Sequence, residues 1–406
     1  MRVGIVTEWF ERGAAYVSRQ IADSLEAEGH EVYIYARGEH RHFKQPLWGG
    51  QHVWEGKPVS APFPKAVHKA DYLNWLRKNK LDLVLFNEQI SLAPVIWTLL
   101  EKVPAVSYID YYTEQTVPDF ALYSGLVCNT QRHYSVFSWH AGAFYVPWGT
   151  DTKLYSPREP VSRPLTFFHS AGWSPERKGT DLLIRSFASH ALANDVSRLV
   201  IHTQASLHDL FPDLRDTLEK LVLDDRLILR SETIPAPGLY HLGDVYVYPS
   251  RLDGIGLTLA EALSSGLRLI TTDEEPMREF AQAPYSLLVD VTGYQKRSDG
   301  YYWSMAEPDL DSLALQLDIA ANQGISQGMR DEIRSYALAN RDWSVNARLL
   351  ASHLQTLVET QVRKPGYLLR VRNNSTGVQQ LLLRLLNRPI HYFVQIKGKL
   401  FCSPNL

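Results

Sequence analysis

Cysteine is nearly absent. Cys128 and Cys402 are the only two in 406 residues, and they are far apart with no CxxC pairing. That excludes the disulfide framework of a small stapled domain and a cysteine zinc site, and fits a reducing compartment. Long apolar runs are also missing: nowhere do about 18 apolar residues follow one another, so a spanning helix is not expected. The opening MRVGIVTEWF runs straight into an apolar strand-like stretch, without the basic n-region and small-residue cleavage site of a secretory signal. The expected location is cytoplasmic, with peripheral contact on the inner membrane face. The Gly-x-Gly-x-x-Gly fingerprint does not follow the first strand, where Glu8-Trp9-Phe10-Glu11-Arg12-Gly13-Ala14 stands instead, and this disfavours a dinucleotide-dependent dehydrogenase. Walker A, HExxH and GxSxG patterns are missing too, as is any fixed repeat that would indicate a solenoid or propeller.

What is present is a two-domain length, an ordinary charged fraction of 21%, and a regular alternation of strand-like and helix-like stretches. Apolar runs at 3–7, 32–36, 83–86, 105–109, 126–129 and 144–147 form one series. A pause around Pro147-Trp148-Gly149-Thr150 and Ser156-Pro157 precedes a second, at 165–170, 198–203, 227–230, 245–249, 267–272 and 286–290. Helical spacing of apolar residues is clearest in 14–28, 179–192, 206–222, 257–265, 309–322 and 345–360. This is βαβ rhythm, and it predicts an α/β protein with two parallel-sheet units. The expected division is 1–150, 160–342, a helix at 343–361 crossing back to the first unit, and a tail at 362–406.

The tail is electrically distinct. Residues 362–406 hold eight Lys/Arg and no Asp or Glu, so the first 361 residues carry 34 basic against 44 acidic side chains. Its basic residues are mixed with apolar ones, as in Gly366-Tyr367-Leu368-Leu369-Arg370, which suits an anionic membrane surface or a partner. A weaker mix occurs at 65–80, where an ordinary surface helix is the commoner explanation. Nucleic acid is not an expected partner, because no binding module accompanies the charge.

The chemistry is concentrated after the run at 245–249, in Pro249-Ser250-Arg251-Leu252-Asp253-Gly254-Ile255-Gly256-Leu257-Thr258-Leu259-Ala260-Glu261. A strand, a glycine-bearing loop and a helix start follow one another. Gly254 and Gly256 let backbone approach a ligand, and the amides at 256–258 can hold a diphosphate. Asp253 and Glu261 then reach different parts of one hydroxyl-rich ligand. The bland reading is a helix start with an acid near its N-terminus and an unrelated surface Glu.

This block resembles the donor site of family 4 retaining glycosyltransferases, which usually reads Pro-Ser-x-x-Glu-Gly-Phe-Gly with a second Glu seven residues after the first. The resemblance implies that Asp253 contacts the donor sugar and Glu261 the ribose; Asp replaces the family's first Glu. A second block, Ala171-Gly172-Trp173-Ser174-Pro175-Glu176-Arg177-Lys178-Gly179, resembles the family's Gly-Arg-Leu-x-x-x-Lys-Gly loop. It assigns Lys178 to the departing diphosphate, with Trp173 at the family's Arg position and Arg177 as the substitute cation or a solvated loop charge. Gly13 resembles one glycine of the family's N-terminal pair. Asp110 stands where the family has a His facing the reacting sugar, either as a hydroxyl ligand or base or as a strand-end cap.

The resemblance covers about residues 1–360 and implies the GT-B architecture, two Rossmann-like units facing across a cleft. The implied reaction moves a sugar from a nucleotide-sugar donor to a hydroxyl of a glycan or lipid-linked glycan, with retention of configuration. Asp253, Lys178 and Asp110 are the expected catalytic residues. Glu261, Gly254, Gly256, Leu257, Thr258, Arg177, Gly172 and Gly13 are the expected donor-binding residues. No cofactor is implied, the nucleotide sugar being a substrate, and no metal: Asp309-Leu310-Asp311 mimics a metal-binding Asp-x-Asp but sits where a helix begins and reads as a cap. A nucleotide-sugar epimerase and a non-catalytic nucleotide-sugar-binding scaffold are the alternatives.

Overall fold

The computed structural model describes residues 1–9, 13–37, 59–60, 67–157, 164–193 and 197–362. Arg12 and, apart from its first residue, the basic tail at 362–406 lie outside the described residues. The first unit holds strands β1 (Arg2–Glu8), β2 (Glu31–Arg37), β3 (Val59–Ser60), β4 (Leu83–Asn87), β5 (Ala105–Tyr108), β6 (Gly125–Cys128) and β7 (Ala143–Tyr145). They form one parallel sheet in the order β3-β2-β1-β4-β5-β6-β7. The second holds β8 (Thr166–Gly172), β9 (Arg198–Thr203), β10 (Leu227–Arg230), β11 (Val245–Tyr248), β12 (Arg268–Thr272) and β13 (Leu287–Val289), parallel in the order β10-β9-β8-β11-β12-β13. The strands read as continuous apolar runs because helices cover both faces; β4, β5, β6, β11 and β12 are buried along their whole length.

In both sheets the order reverses next to the first strand, between β1 and β4 and again between β8 and β11. In open α/β sheets the loops leaving the carboxyl ends of such a strand pair diverge and leave a crevice. The loops at the second reversal are the two sequence blocks singled out above, 172–179 and 249–256.

Two findings depart from the pattern. The helix expected across 206–222 is broken: Leu207–Leu210 and Arg215–Leu223 flank a single 3-10 turn at Pro212–Leu214. Pro212 has no N–H to continue the helical ladder and sits at the start of the new turn instead. An antiparallel hairpin of β14 (Val291–Gln295) and β15 (Met305–Pro308) follows β13, where no strand is expected.

The two chain segments between the sheets run side by side. The Thr150 amide donates to the Arg341 carbonyl at 2.8 Å and the Trp343 amide to the Thr150 carbonyl at 3.0 Å. Helix Trp343–Val362 then lies in the core of the first sheet, where Trp343, Leu350 and Leu354 join Ile5, Val17 and Ile21. Trp343 packs on Trp148 with ring centroids 4.2 Å apart, and its indole donates to the Gln20 carbonyl. In helix Lys69–Lys78, Tyr72 and Trp75 are buried, and Arg77 pairs with Glu101. That segment has the character of an ordinary surface helix whose aromatics are occupied by the core. No helix among the described residues is long and apolar enough to cross a membrane.

Candidate functional site

The two loops at the β8/β11 reversal are locked to each other. Gly179 has a left-handed backbone (φ +69°), and a Cβ there would stand 2.0 Å from the Pro249 carbonyl oxygen, so only glycine permits the approach. Beside it the Arg251 amide donates to the Arg177 carbonyl at 2.9 Å, and Arg177 donates to the Leu252 carbonyl. Arg251 forms a bidentate pair with Asp181 at 2.7 and 2.9 Å and reaches Glu307 at 3.1 Å. Lys178 is therefore delivered to the loop that carries Asp253.

Asp253 folds its own loop. One carboxylate oxygen accepts from the amides of Ile255 at 3.1 Å and Gly256 at 2.9 Å, and the other from the Tyr248 hydroxyl, with Arg177 3.7 Å away. Burial pushes this carboxyl up, but the cations of Lys178 and Arg177 and the Tyr248 and Gly256 hydrogen bonds outweigh it and bring it down to about 2. Three of its roughly four lone-pair sites are thus taken by protein donors. Gly256 is left-handed (φ +71°) where helix Leu257–Ser264 starts, and a Cβ there would meet Phe280 at 2.6 Å. Leu257 and Thr258 are its first two residues; their N–H groups have no acceptor within the helix. A Cβ on Gly254 would meet nothing within 4 Å, so this glycine is open rather than packed.

Lys178 lies 5.1 Å over the Tyr248 ring. Burial draws its ammonium below the ordinary lysine value, against the pull of Asp253 and Glu261. Glu261, one turn into the helix, accepts from the Tyr240 hydroxyl; burial raises its carboxyl, opposed by Tyr240, Tyr155 and Lys178. Asp253, Lys178 and Glu261 are therefore one electrostatic group. Gly172 closes β8 in a left-handed turn (φ +57°) with its carbonyl held by Thr203 and Gln204. Trp173, 73% exposed, stands next to it, where the resemblance noted above would put an arginine, while Arg177 is turned toward Asp253. Asp309 caps helix Leu310–Gln323 by accepting from the Ser312 amide at 2.6 Å. Among the described residues no group of three or more His, Cys, Asp or Glu is arranged to hold a metal ion.

The first unit brings Gly13 to the start of helix Gly13–Ala27, and Asp110 to the end of β5. Asp110 connects to the second unit through the hairpin: the Tyr301 hydroxyl donates to the Asp110 carbonyl at 3.1 Å, and the Tyr301 ring stacks on Tyr111 at 5.3 Å. Both Asp110 and Asp253 act electrostatically on Tyr301, whose hydroxyl burial pushes up to about 12. This tyrosine layer carries no motif in the sequence. The alternation Tyr246-Val247-Tyr248 on β11 and the Asp299-Gly300 turn were the available signals. His133 is fully buried, with Nδ1 2.8 Å from the Tyr112 hydroxyl. Burial, aided by Arg132, lowers its imidazole to about 3 and keeps it neutral.

Residues 163–294 match the family described as "Glycosyl transferases group 1", a span that includes both locked loops. A lipopolysaccharide core biosynthesis mannosyltransferase, LpsB of Rhizobium meliloti (strain 1021), is 29% identical over 136 residues. That alignment takes in 31% of this chain and 39% of the relative, so the chain spans about two fifths of the length of the curated relative it matches. Among solved structures, Anabaena HepE in complex with UDP superposes with a TM-score of 0.68 at 16% identity, covering 88% of this chain and all of that one. Sucrose-phosphate synthase from Thermosynechococcus elongatus gives 0.66 at 14% identity, covering 89% of this chain and all of that one. The chain has the GT-B fold, and the stretch that matches the Glycosyl transferases group 1 model lies in its second unit.

Proposed function

We propose that this protein is a retaining, metal-independent hexosyltransferase of the family 4 type, moving a sugar from a nucleotide-sugar donor to a hydroxyl of a glycan or lipid-linked glycan. One observation carries the reading. The contact of Gly179 with Pro249 sets Lys178, Asp253 and Glu261 around the first turn of helix Leu257–Ser264, at the crevice where the strand order reverses. Such a helix start with a lysine beside it holds a diphosphate without a metal. Lys178 and the amides of Leu257 and Thr258 balance the charge gathering on the leaving diphosphate, the Gly256 amide being taken by Asp253, and a phosphate oxygen takes the proton of the acceptor hydroxyl. Glu261 accepts from the ribose hydroxyls. Asp253 uses its remaining lone pair for a donor-sugar hydroxyl, and Asp110 binds the sugar or acceptor from across the cleft. The fit to a lipopolysaccharide-type acceptor rests on the mannosyltransferase relative, and the basic tail at 362–406 is proposed to hold the protein on an anionic membrane.

The test is a thermal-shift panel of UDP-, GDP-, ADP- and TDP-sugars, followed by release of nucleoside diphosphate and NMR of the new anomeric centre. Release with retained configuration is expected; a changed sugar still bound to its nucleotide would mean an epimerase. The nearly saturated carboxylate of Asp253 favours a second reading, a binding scaffold without turnover. Tight nucleotide binding with no release under any acceptor would establish it.

A further inference from the structure

Arg132 belongs to none of the roles assigned above, yet it touches the donor loop from the opposite side of the cleft. It lies in helix Gln131–Phe137 after β6 and is 4% exposed. One terminal nitrogen donates to the Asp253 carbonyl at 2.8 Å, and the other to the Glu275 carbonyl. Its guanidinium lies 4.7 Å over the ring of Trp303, which the hairpin between β14 and β15 carries across from the second unit. Trp303 is itself oriented, because its indole donates to the Tyr112 hydroxyl at 2.7 Å and that hydroxyl pairs with His133. The same hairpin is pinned by the Tyr302 amide on the Tyr112 carbonyl at 2.9 Å and by Tyr301 on Tyr111.

Asp253 is consequently held from both sides. Its carboxylate is fixed by amides and cations of its own unit, and its backbone carbonyl by a cation of the other. The diphosphate and ribose contacts proposed for Lys178 and Glu261 lie wholly within the second unit and need nothing from Arg132. A buried arginine serves this purpose better than lysine, since its planar fork reaches two carbonyls while one face packs on an indole.

We propose that Arg132 is a positioning residue: it couples the approach of the two units to the placement of Asp253, with Trp303 holding its guanidinium plane. This rests on the transferase reading for its catalytic consequence and on the geometry alone for its structural one, and the two are tested separately. Hydrogen exchange needs no substrate. In Arg132→Ala the amides of Ile255 and Gly256, which donate to Asp253, are expected to exchange about 10-fold faster than in the parent while those of 198–203 do not change. In steady-state kinetics kcat is expected to fall about 10–100-fold with the donor KM within about threefold, as for a displaced group that acts only in the reaction step. Arg132→Lys should recover part of kcat, and Trp303→Leu, which keeps the charge but removes its platform, should lower kcat in the same direction. Unchanged exchange at Ile255 and Gly256 in Arg132→Ala and Trp303→Leu would overturn the proposal, as would a higher donor KM at unchanged kcat. Absence of turnover in the parent protein would refute the transferase reading, and the exchange result would still decide whether Arg132 anchors the loop.

Discussion

Gly179→Ala is the sharpest single perturbation of the site. The new Cβ would stand 2.0 Å from the Pro249 carbonyl oxygen and 2.9 Å from its carbonyl carbon. Neither atom can give way easily, because the next residues are fixed by the Arg251 amide on the Arg177 carbonyl and by Thr272 on the Ser250 carbonyl. Holding alanine in the left-handed region costs about 1–2 kcal/mol, and forcing extra volume into a packed contact about 1–3 kcal/mol. The stiffer unfolded chain returns about 0.4–1 kcal/mol. The net expectation is a loss of about 2–4 kcal/mol, or roughly 4–16 °C in the transition of a unit this size. Gly254→Ala is the matched control, since its Cβ meets nothing within 4 Å and its φ is not left-handed; its stability should stay within about 1 kcal/mol of the parent. Urea unfolding and calorimetry of both variants supply the comparison, and nucleotide thermal shifts report whether the displaced Lys178 still finds its ligand. If Gly179→Ala proves as stable as Gly254→Ala, the two loops are not locked and the geometry proposed for the donor site is wrong.

Other expectations follow from the same structure. Lys178→Ala should lower the rate of nucleotide release by about 10²–10³-fold, as for loss of one preorganised charge-stabilising donor; single-turnover kinetics measures it. Glu261→Gln should weaken nucleotide-sugar binding by about 10-fold or more, because a charge-assisted hydrogen bond is lost, readable by calorimetric titration. His133 and His169 are buried, with imidazoles lowered by burial to about 3 and about 4. The unfolded chain therefore binds more protons below about pH 6.5, so their stabilising contribution is complete above that pH and is lost as the pH falls toward 4. His133→Asn should flatten the dependence of unfolding free energy on pH between 6 and 4 by up to about 1.4 kcal/mol per pH unit. Trp343→Ala should cost about 3–5 kcal/mol in urea unfolding, since it empties the contact with Trp148 and releases the last helix from the first core.

The two locked loops were legible in the sequence because their chemistry is local. Gly256 and Gly179 are glycines where the backbone is left-handed, and Asp253 bonds amides two and three residues ahead of it. The same holds for the parallel strands, whose continuous apolar runs register burial on both faces. Pro212 shows the limit of periodicity: the apolar spacing of 206–222 continues through a residue that cannot donate, and the helix divides there.

By itself, then, the sequence determined two α/β series, the glycine-dependent turns, and the acids, glycines and lysine carried by the two loops. Only the tertiary structure decided what surrounds them. Tyr240 meets Glu261, Arg132 meets the Asp253 carbonyl, and Tyr301 meets Asp110 across 21, 121 and 191 residues. Those partners share no helical or strand period, so no sequence pattern records them. They come together because segments that follow β6 and β11 meet, and a hairpin after β13 reaches the loop that follows β5. The acids and the lysine were written locally; how firmly each is held, and from which side of the cleft, was settled by the packing of the two units.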